Sequence, residues 1–391
     1  MTLKSRVTVL LISTPVLAFV VIGGLMGNAS ATRGDDTFQH LRVFEDVIRL
    51  VMHSYVETVK VDRVMEGAMR GLADGLDPDS AYLNPKQLKE FELGHALPEG
   101  DIGVELTRTY YLRVIAARDG SPAARAGLAT SDVIRAIDGK STREMSVFEG
   151  TRLLRGAPGT KLVLTIIRNN AADPHDVTLV REKPAGPQVS SRMLAAGAGY
   201  VRIATFRSGV AAELKKHIAE LKNAGATSLV IDVRRTAEGA IDNGIEAARL
   251  FVKSGTVAIR GSGQPGAPVE RIDAAAGDGS VDVPALVLVT TGTSGAAEVF
   301  AAALDGRGRA DLIGERTIGR AGLQKLVKLP ENRALWLTYA RYSTPGGQPI
   351  HGKGLEPDVE VEDNDVEFGA AAPQKDPILD AAIARLTAKK G

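Results

Sequence analysis

The chain has 391 residues, with 48 Lys and Arg against 47 Asp and Glu, a formal net charge of +1, and no cysteine. That length allows two or three domains with real cores, and 44% hydrophobic with 24% charged residues describes a globular protein. The balanced charge excludes the basic field of a nucleic-acid binder, and the missing cysteines exclude disulfides, thiol nucleophiles and thiolate metal sites.

Lys4 and Arg6 precede an uncharged stretch from Val7 to Met26, followed by Asn28-Ala-Ser-Ala31. A basic flank, an apolar run and a small-residue triplet fit a secretory signal cleaved after Ala31. The run is also long enough to span a bilayer of roughly 30 Å, so an uncleaved inner-membrane anchor fits equally. Either places the body at the periplasmic, extracytoplasmic face, secreted or N-terminally anchored.

Residues 36–95 read as a helical region. Phe44, Val47, Ile48, Val51 and Tyr55 share one helical face, and Met65, Ala68, Met69 and Leu72 repeat the pattern. Asn84-Pro85 is an N-cap followed by proline at the first helical position. These apolar faces need the rest of the chain or another copy, so homo- or hetero-oligomerisation through 36–95 is an expectation.

Residues 97–183 change to short β-like runs with Gly and Pro turns. The clearest strands are Leu112-Arg-Val-Ile-Ala, Asp132-Val-Ile-Arg-Ala-Ile and Leu162-Val-Leu-Thr-Ile-Ile, with a helix at Ser146–Arg155. Lys183 to Gln188 reads as a linker.

From 189 to 362, strands and helices alternate. Tyr200–Ile203, Leu229-Val-Ile-Asp-Val and Ala285-Leu-Val-Leu-Val are strand-like, and Ala211–Leu221 and Ile241–Val252 are helical. Short apolar runs between helices predict an α/β domain around a largely parallel sheet. Residues 363–391 form an acidic, then Ala/Pro-rich tail with a short helix at Ile378–Leu386.

Three motif matches fail on context. Gly261-Ser-Gly263-Gln-Pro-Gly266 spells the dinucleotide fingerprint, but Pro265 and Pro268 block the helix that must receive a pyrophosphate. Gly314-Glu-Arg-Thr-Ile-Gly319-Arg320-Ala321 has phosphate-loop spacing without the Lys or the hydroxyl. Gly292-Thr-Ser-Gly-Ala296 is close to a nucleophile elbow but ends in alanine. The six histidines are scattered, with no i, i+4 pair for a zinc helix. No metal and no cofactor is expected.

Two stretches carry a family resemblance. Ser121-Pro-Ala-Ala-Arg-Ala-Gly-Leu-Ala-Thr-Ser-Asp-Val-Ile-Arg-Ala-Ile-Asp-Gly139 resembles the middle of a PDZ domain. Ala340-Arg-Tyr-Ser-Thr-Pro-Gly-Gly-Gln-Pro-Ile-His-Gly-Lys-Gly-Leu-Glu-Pro-Asp358, with Gly314-Glu-Arg-Thr-Ile-Gly319 and Leu154-Arg-Gly-Ala-Pro-Gly-Thr160, resembles the C-terminal processing peptidases, or tail-specific proteases. The likeness runs from about Phe38 to Glu362. It implies a mixed α/β multi-domain chain: an N-terminal helical region, a PDZ-like small β-barrel and an α/β serine-peptidase core. It also implies serine endopeptidase ancestry, a PDZ domain that docks protein C-termini, and a Ser/Lys dyad assisted by Gln.

Placed on this sequence, the family's nucleophile lies three residues before Glu298, which is Gly295, and its base falls on Arg320; the expected glutamine is present as Gln324. Glycine supplies no nucleophile, and an arginine side chain keeps its proton until pH above about 12. The turn that should donate an oxyanion amide reads Asp232-Val-Arg-Arg-Thr-Ala-Glu238-Gly239, with a carboxylate where the family has glycine. Beside an oxyanion that charge is repulsive.

The resemblance with these departures reads as a pseudoprotease that binds protein C-termini, or acts as scaffold or regulatory partner of an active relative or envelope complex. The alternatives are an active endopeptidase using off-register Ser294 or Thr293, and a structural subunit of a membrane assembly. Lys325, next to Gln324, should face the opposite side of a strand. Arg320 is expected to pair with Glu238 across the site. Amides near Ile102, Gly103 and Val104, in Asp101-Ile-Gly-Val-Glu-Leu106, are the candidate carboxylate-binding loop for a peptide added as a β-strand.

Overall fold

The computed structural model describes residues 38–93, 98–168, 173–194, 197–264, 266–364, 366–368 and 373–388; the expected signal or anchor at 1–31 lies outside them. The chain divides into two units, Met1–Gly71 and Leu72–Gly391. Among the described residues no helix is long and apolar enough to cross a membrane.

In the first unit, α1 (38–54) follows the predicted periodicity. Phe38, Leu41, Phe44, Val47 and Leu50 stay exposed, and Ile48 and Val51 are half-buried. The next helix, α2 (Val61–Asp74), carries the chain across the boundary.

The second unit opens with β1 (Ala81–Leu83), where only helices were expected, and α3 (Pro85–Glu92). Asn84 caps α3 reciprocally: its side chain accepts from the Gln87 amide while the Gln87 side chain accepts from the Asn84 amide.

The next module contains β2 (Val104–Arg108), β3 (Leu112–Ala117), α4 (Pro122–Arg125), β4 (Val133–Ile137), β5 (Lys140–Ser141), α5 (Val147–Leu154), β6 (Lys161–Ile167) and β7 (His175–Val180). Its antiparallel sheet has the order β2-β3-β4-β6-β7, with β5 on β4, so β2 is an edge strand. Alternation in β6 sends Leu162, Leu164 and Ile166 into a core shared with Ile102, Leu106, Leu112 and Leu154. Ser121 and Ser146 cap the two helices by accepting from the amides of Ala124 and Glu149.

After a strandless linker come β8 (Val189–Met193), β9 (Ala198–Ile203), α6 (Val210–Asn223), β10 (Ser228–Asp232), α7 (Ile241–Arg249), β11 (Thr256–Gly261), β12 (Val269–Asp273), β13 (Ala285–Val289), α8 (Ala296–Gly306), β14 (Ala310–Gly314), β15 (Gly322–Leu329), β16 (Arg333–Ser343), β17 (Val359–Glu360) and α9 (Pro377–Ala388). The main sheet runs β17-β14-β13-β10-β9-β8, parallel except for β8. Every residue of β10 and β13 is buried, as expected for strands covered on both faces. Leu229, Ile231 and Val287 pack with Leu214, Ile218 and Phe300 from the helices of one face. Ile378, Ala382 and Leu386 of α9 close the other over Val230, Leu286 and Leu288.

A second, antiparallel sheet, β1-β16-β11-β12 with β15 on β16, lacks a clear sequence signal. Ala81 faces Trp336 across it. Of the rejected dinucleotide match, Gly261 ends β11, and Gly263, Gln264 and Gly266 lie between it and β12. The chain then returns from β17 to the PDZ-like module. There Phe368 joins its core, stacked on His175 at 5.3 Å and lying 5.2 Å from the Arg168 guanidinium.

Candidate active site

Parallel strands gather their C-terminal loops at one end of the sheet, and ligand sites form there. Here the loops after β10, β13 and β14 bring together Glu238 and Gly239, Ser294 and Gly295, and Arg320. A Cβ built on Gly295 would lie 3.7 Å from the Arg320 carbonyl oxygen, so the two positions singled out from sequence are neighbours.

Gly295 is the N-cap of α8, with φ 60° and ψ −114°. A side-chain-bearing residue reaches that conformation only under strain, and such strain is a property of nucleophile-bearing strand-to-helix turns. The turn has the shape of an elbow and no side chain at its apex.

Glu298 holds this shape. Its carboxylate is fully buried. Oε2 accepts the amides of Gly295 at 3.1 Å and Arg320 at 2.8 Å, and Oε1 accepts the Gly319 amide at 2.7 Å and the Thr317 hydroxyl. Burial pushes this carboxyl above its usual range, and the hydroxyl and amides pull it back only in part. One side chain therefore ties the elbow to the turn that carries residue 320.

The off-register hydroxyls are placed otherwise. Thr293 is buried, donates to the Val233 carbonyl at 2.9 Å and accepts the Thr290 amide at 3.0 Å, which makes its hydroxyl part of the turn's scaffold. Ser294 is 2% exposed, with its amide on the Thr236 carbonyl at 3.0 Å.

The expected Arg320–Glu238 pair is not formed. Arg320 lies on Asp79, with Nε and Nη2 each 2.7 Å from Oδ1, and Nη1 is 3.9 Å from Glu105 of β2. Glu238 instead accepts from Arg118 Nη1 at 2.8 Å and lies 3.9 Å from Arg207. Each group has met a nearer opposite charge from a segment remote in sequence. Gln324 donates to Thr338 Oγ1 at 3.2 Å, and Thr338 in turn donates to Asp77. Lys325 lies over the Tyr339 ring, on the other face of β15 as alternation required.

The PDZ-like module sits directly on the elbow. A Cβ on Gly292 would meet Thr130 Oγ1 at 2.7 Å and the Ile115 carbonyl oxygen at 3.0 Å, so only glycine admits this approach. Burial pushes the carboxyl of Glu105, beside Arg320, up to about 7, with the Arg320 charge opposing. Asp79, Glu105 and Arg118 were missed from sequence; the Asp77-Pro78-Asp79-Ser80 turn was the one local signal. A cleft of about 700 Å³ opens beside the elbow, lined by Arg235, Thr291, Gly292, Glu315 and, from the module, Leu128 and Thr130. Among the described residues no group of three His, Asp or Glu is placed to hold a metal ion.

Residues 197–361 match Peptidase family S41, and residues 113–168 match a PDZ domain. The carboxy-terminal-processing protease of Bartonella bacilliformis is 31% identical over 332 residues, spanning 84% of this chain and 76% of that protein. The chain belongs to the carboxy-terminal-processing protease family. The carboxy-terminal processing protease CtpA of Bacillus subtilis is 30% identical, over 86% of this chain and 72% of its own length. Among solved structures, the photosystem II D1 C-terminal processing protease matches with a TM-score of 0.67 at 27% identity, covering 82% of this chain and 92% of that one. In this member of the carboxy-terminal-processing protease family, residues 113–168 are thus a PDZ domain and residues 197–361 a peptidase core.

Proposed function

We propose that this chain keeps the framework of a carboxy-terminal-processing protease without its chemistry, and works as a pseudoprotease. The observation that carries this reading is the elbow apex: residue 295, at the register of the nucleophile, is glycine. The group nearest to a general base supports it, because Arg320 is an arginine tied to Asp79. An arginine cannot accept a proton from a serine near neutrality. Glu238 at the oxyanion turn adds a carboxylate where donors are needed.

The retained function is binding. The PDZ domain takes polypeptide C-termini on the amides of the Ile102-Gly103-Val104 loop and the edge of β2. The protein acts as a scaffold, adaptor or regulatory partner of an active relative or another envelope complex. Its place is the extracytoplasmic side of the inner membrane, a reading that rests on the pattern of residues 1–31. The exposed apolar side chains of α1 favour assembly through 36–95.

The test is cleavage. Incubated with unfolded substrates ending in apolar residues, the purified protein leaves them intact while binding their free-acid tails. Cleavage that Ser294→Ala abolishes would establish the off-register endopeptidase instead.

A further inference from the structure

The inference deepens the peptide-binding reading above and rests on it. Arg118 follows β3 and is nearly buried, its side chain 8% exposed. It donates Nη2 to Asp101 Oδ1 at 2.8 Å, Nη1 to Asp101 Oδ2 at 3.4 Å, and Nη1 to Glu238 Oε2 at 2.8 Å. Asp101 precedes the matched PDZ residues and is bridged to Glu182 at the end of the same β-module, whereas Glu238 comes from the peptidase core.

Arg118 borders the candidate carboxylate loop. The Ile102 and Gly103 carbonyls accept from the amides of Ala123 and Arg118, while the amides of Ile102 and Gly103 meet no acceptor among the described residues. The remaining space beside Gly103, Ala116, Arg118, Ala237 and Glu238 is a cavity of about 10 Å³, which holds one water at most. Glu238 has taken the room next to the Arg118 guanidinium beside Gly103, in a cavity that Arg235 also lines.

We propose that Glu238 is an internal carboxylate that occupies the PDZ peptide site, and that an incoming polypeptide C-terminus must displace it from Arg118. A terminal carboxylate is chemically equivalent to the Glu238 side chain, so the exchange leaves Arg118 paired. Glu238 is not orphaned either, because Arg207 of the core stands 3.9 Å away. No buried charge loses all its partners, which is the condition for an exchange without a large penalty. Peptide binding and the closed PDZ–core contact then compete, and residue 238 sets the affinity for tails.

The experiment titrates the full chain with a short fluorescent peptide ending in apolar residues, as free acid and as amide, following anisotropy. Glu238→Gln keeps the side-chain shape and removes the charge, and Glu238→Ala serves as a second variant, both checked by circular dichroism. The free acid binds both variants about tenfold more tightly than the original chain, the scale of one charge-assisted contact, and the amide binds all of them weakly. Equal affinity of the original chain and both variants for the free acid overturns the competition alone and leaves peptide binding standing. No binding to any of them overturns the peptide reading and this inference with it.

Discussion

The guanidinium of Arg320 is anchored on the carboxylate of Asp79, a residue 241 positions earlier in the chain. The Asp79 side chain is 5% exposed, so its charge relies on this partner. Truncation by Arg320→Ala leaves a nearly buried carboxylate without its cation and is expected to cost about 2–3 kcal/mol. Arg320→Lys keeps the charge but loses the two-nitrogen contact and falls between the two. Urea unfolding midpoints measure both, and an unchanged midpoint for Arg320→Ala would make the pair ornamental.

The second prediction concerns the elbow. At Gly295 the nearest heavy atom to a built Cβ is 3.7 Å away, so Gly295→Ser fits sterically and meets only backbone strain, about 1–3 kcal/mol. The variant folds, with a lowered melting temperature. Combined with Arg320→Lys and Glu238→Gly it regains the groups of the family's site, and slow cleavage of an unfolded substrate is expected from the triple variant alone. The same combination carrying Gly295→Ala in place of Gly295→Ser stays silent.

Glu298 supplies the third. Both its oxygens already accept from donors, so Glu298→Gln must turn an NH₂ group toward amides or a hydroxyl. Orphaning those donors costs about 3 kcal/mol, larger than the usual effect of this isosteric change. The sign of the pH effect follows from the raised carboxyl. The folded state favours its protonated form more than the unfolded chain does. Its contribution is therefore complete below the ordinary value of 4.5 and declines as pH rises through the raised one. Urea midpoints measured from pH 4 upward should fall for the original chain as pH rises through that value, a slope that Glu298→Gln, with no titrating group there, does not share.

A fourth prediction separates Glu105 from its neighbours. Its carboxyl, pushed by burial up to about 7 against an ordinary 4.5, favours the folded state when protonated. That advantage is full below about 4.5 and is lost as pH climbs to about 7. With 38% of the side chain exposed, solvent screens much of the effect, which shows as a slope. Glu105→Gln flattens the dependence of the unfolding midpoint on pH in this window. A slope that survives the substitution would assign it to another group.

Much of the architecture was legible because its causes are local. Asn84-Pro85 announces a helix start by the bonds a side chain makes three residues on. The unbroken apolar runs at 229–233 and 285–289 announce strands covered on both faces. The adjacency of positions 295 and 320 was expected only through the family resemblance, which carried the family's spacing onto Glu298 and the Thr317-Ile-Gly-Arg320 turn. The antiparallel sheet of β1, β11, β12, β15 and β16 was not. Its strands alternate weakly, and β1 has three residues that acquire strand character only by lying beside β16.

The sequence by itself determined that position 295 has no nucleophile and position 320 no base, because those are facts of side-chain chemistry that no fold can supply. Only the tertiary structure decided where the leftover charges went. Arg320 and Glu238 were expected to meet each other. Folding instead delivered Asp79 to one and Arg118, 120 positions away, to the other. An ion pair depends on a separation of about 4 Å or less, and no spacing along the chain encodes that distance.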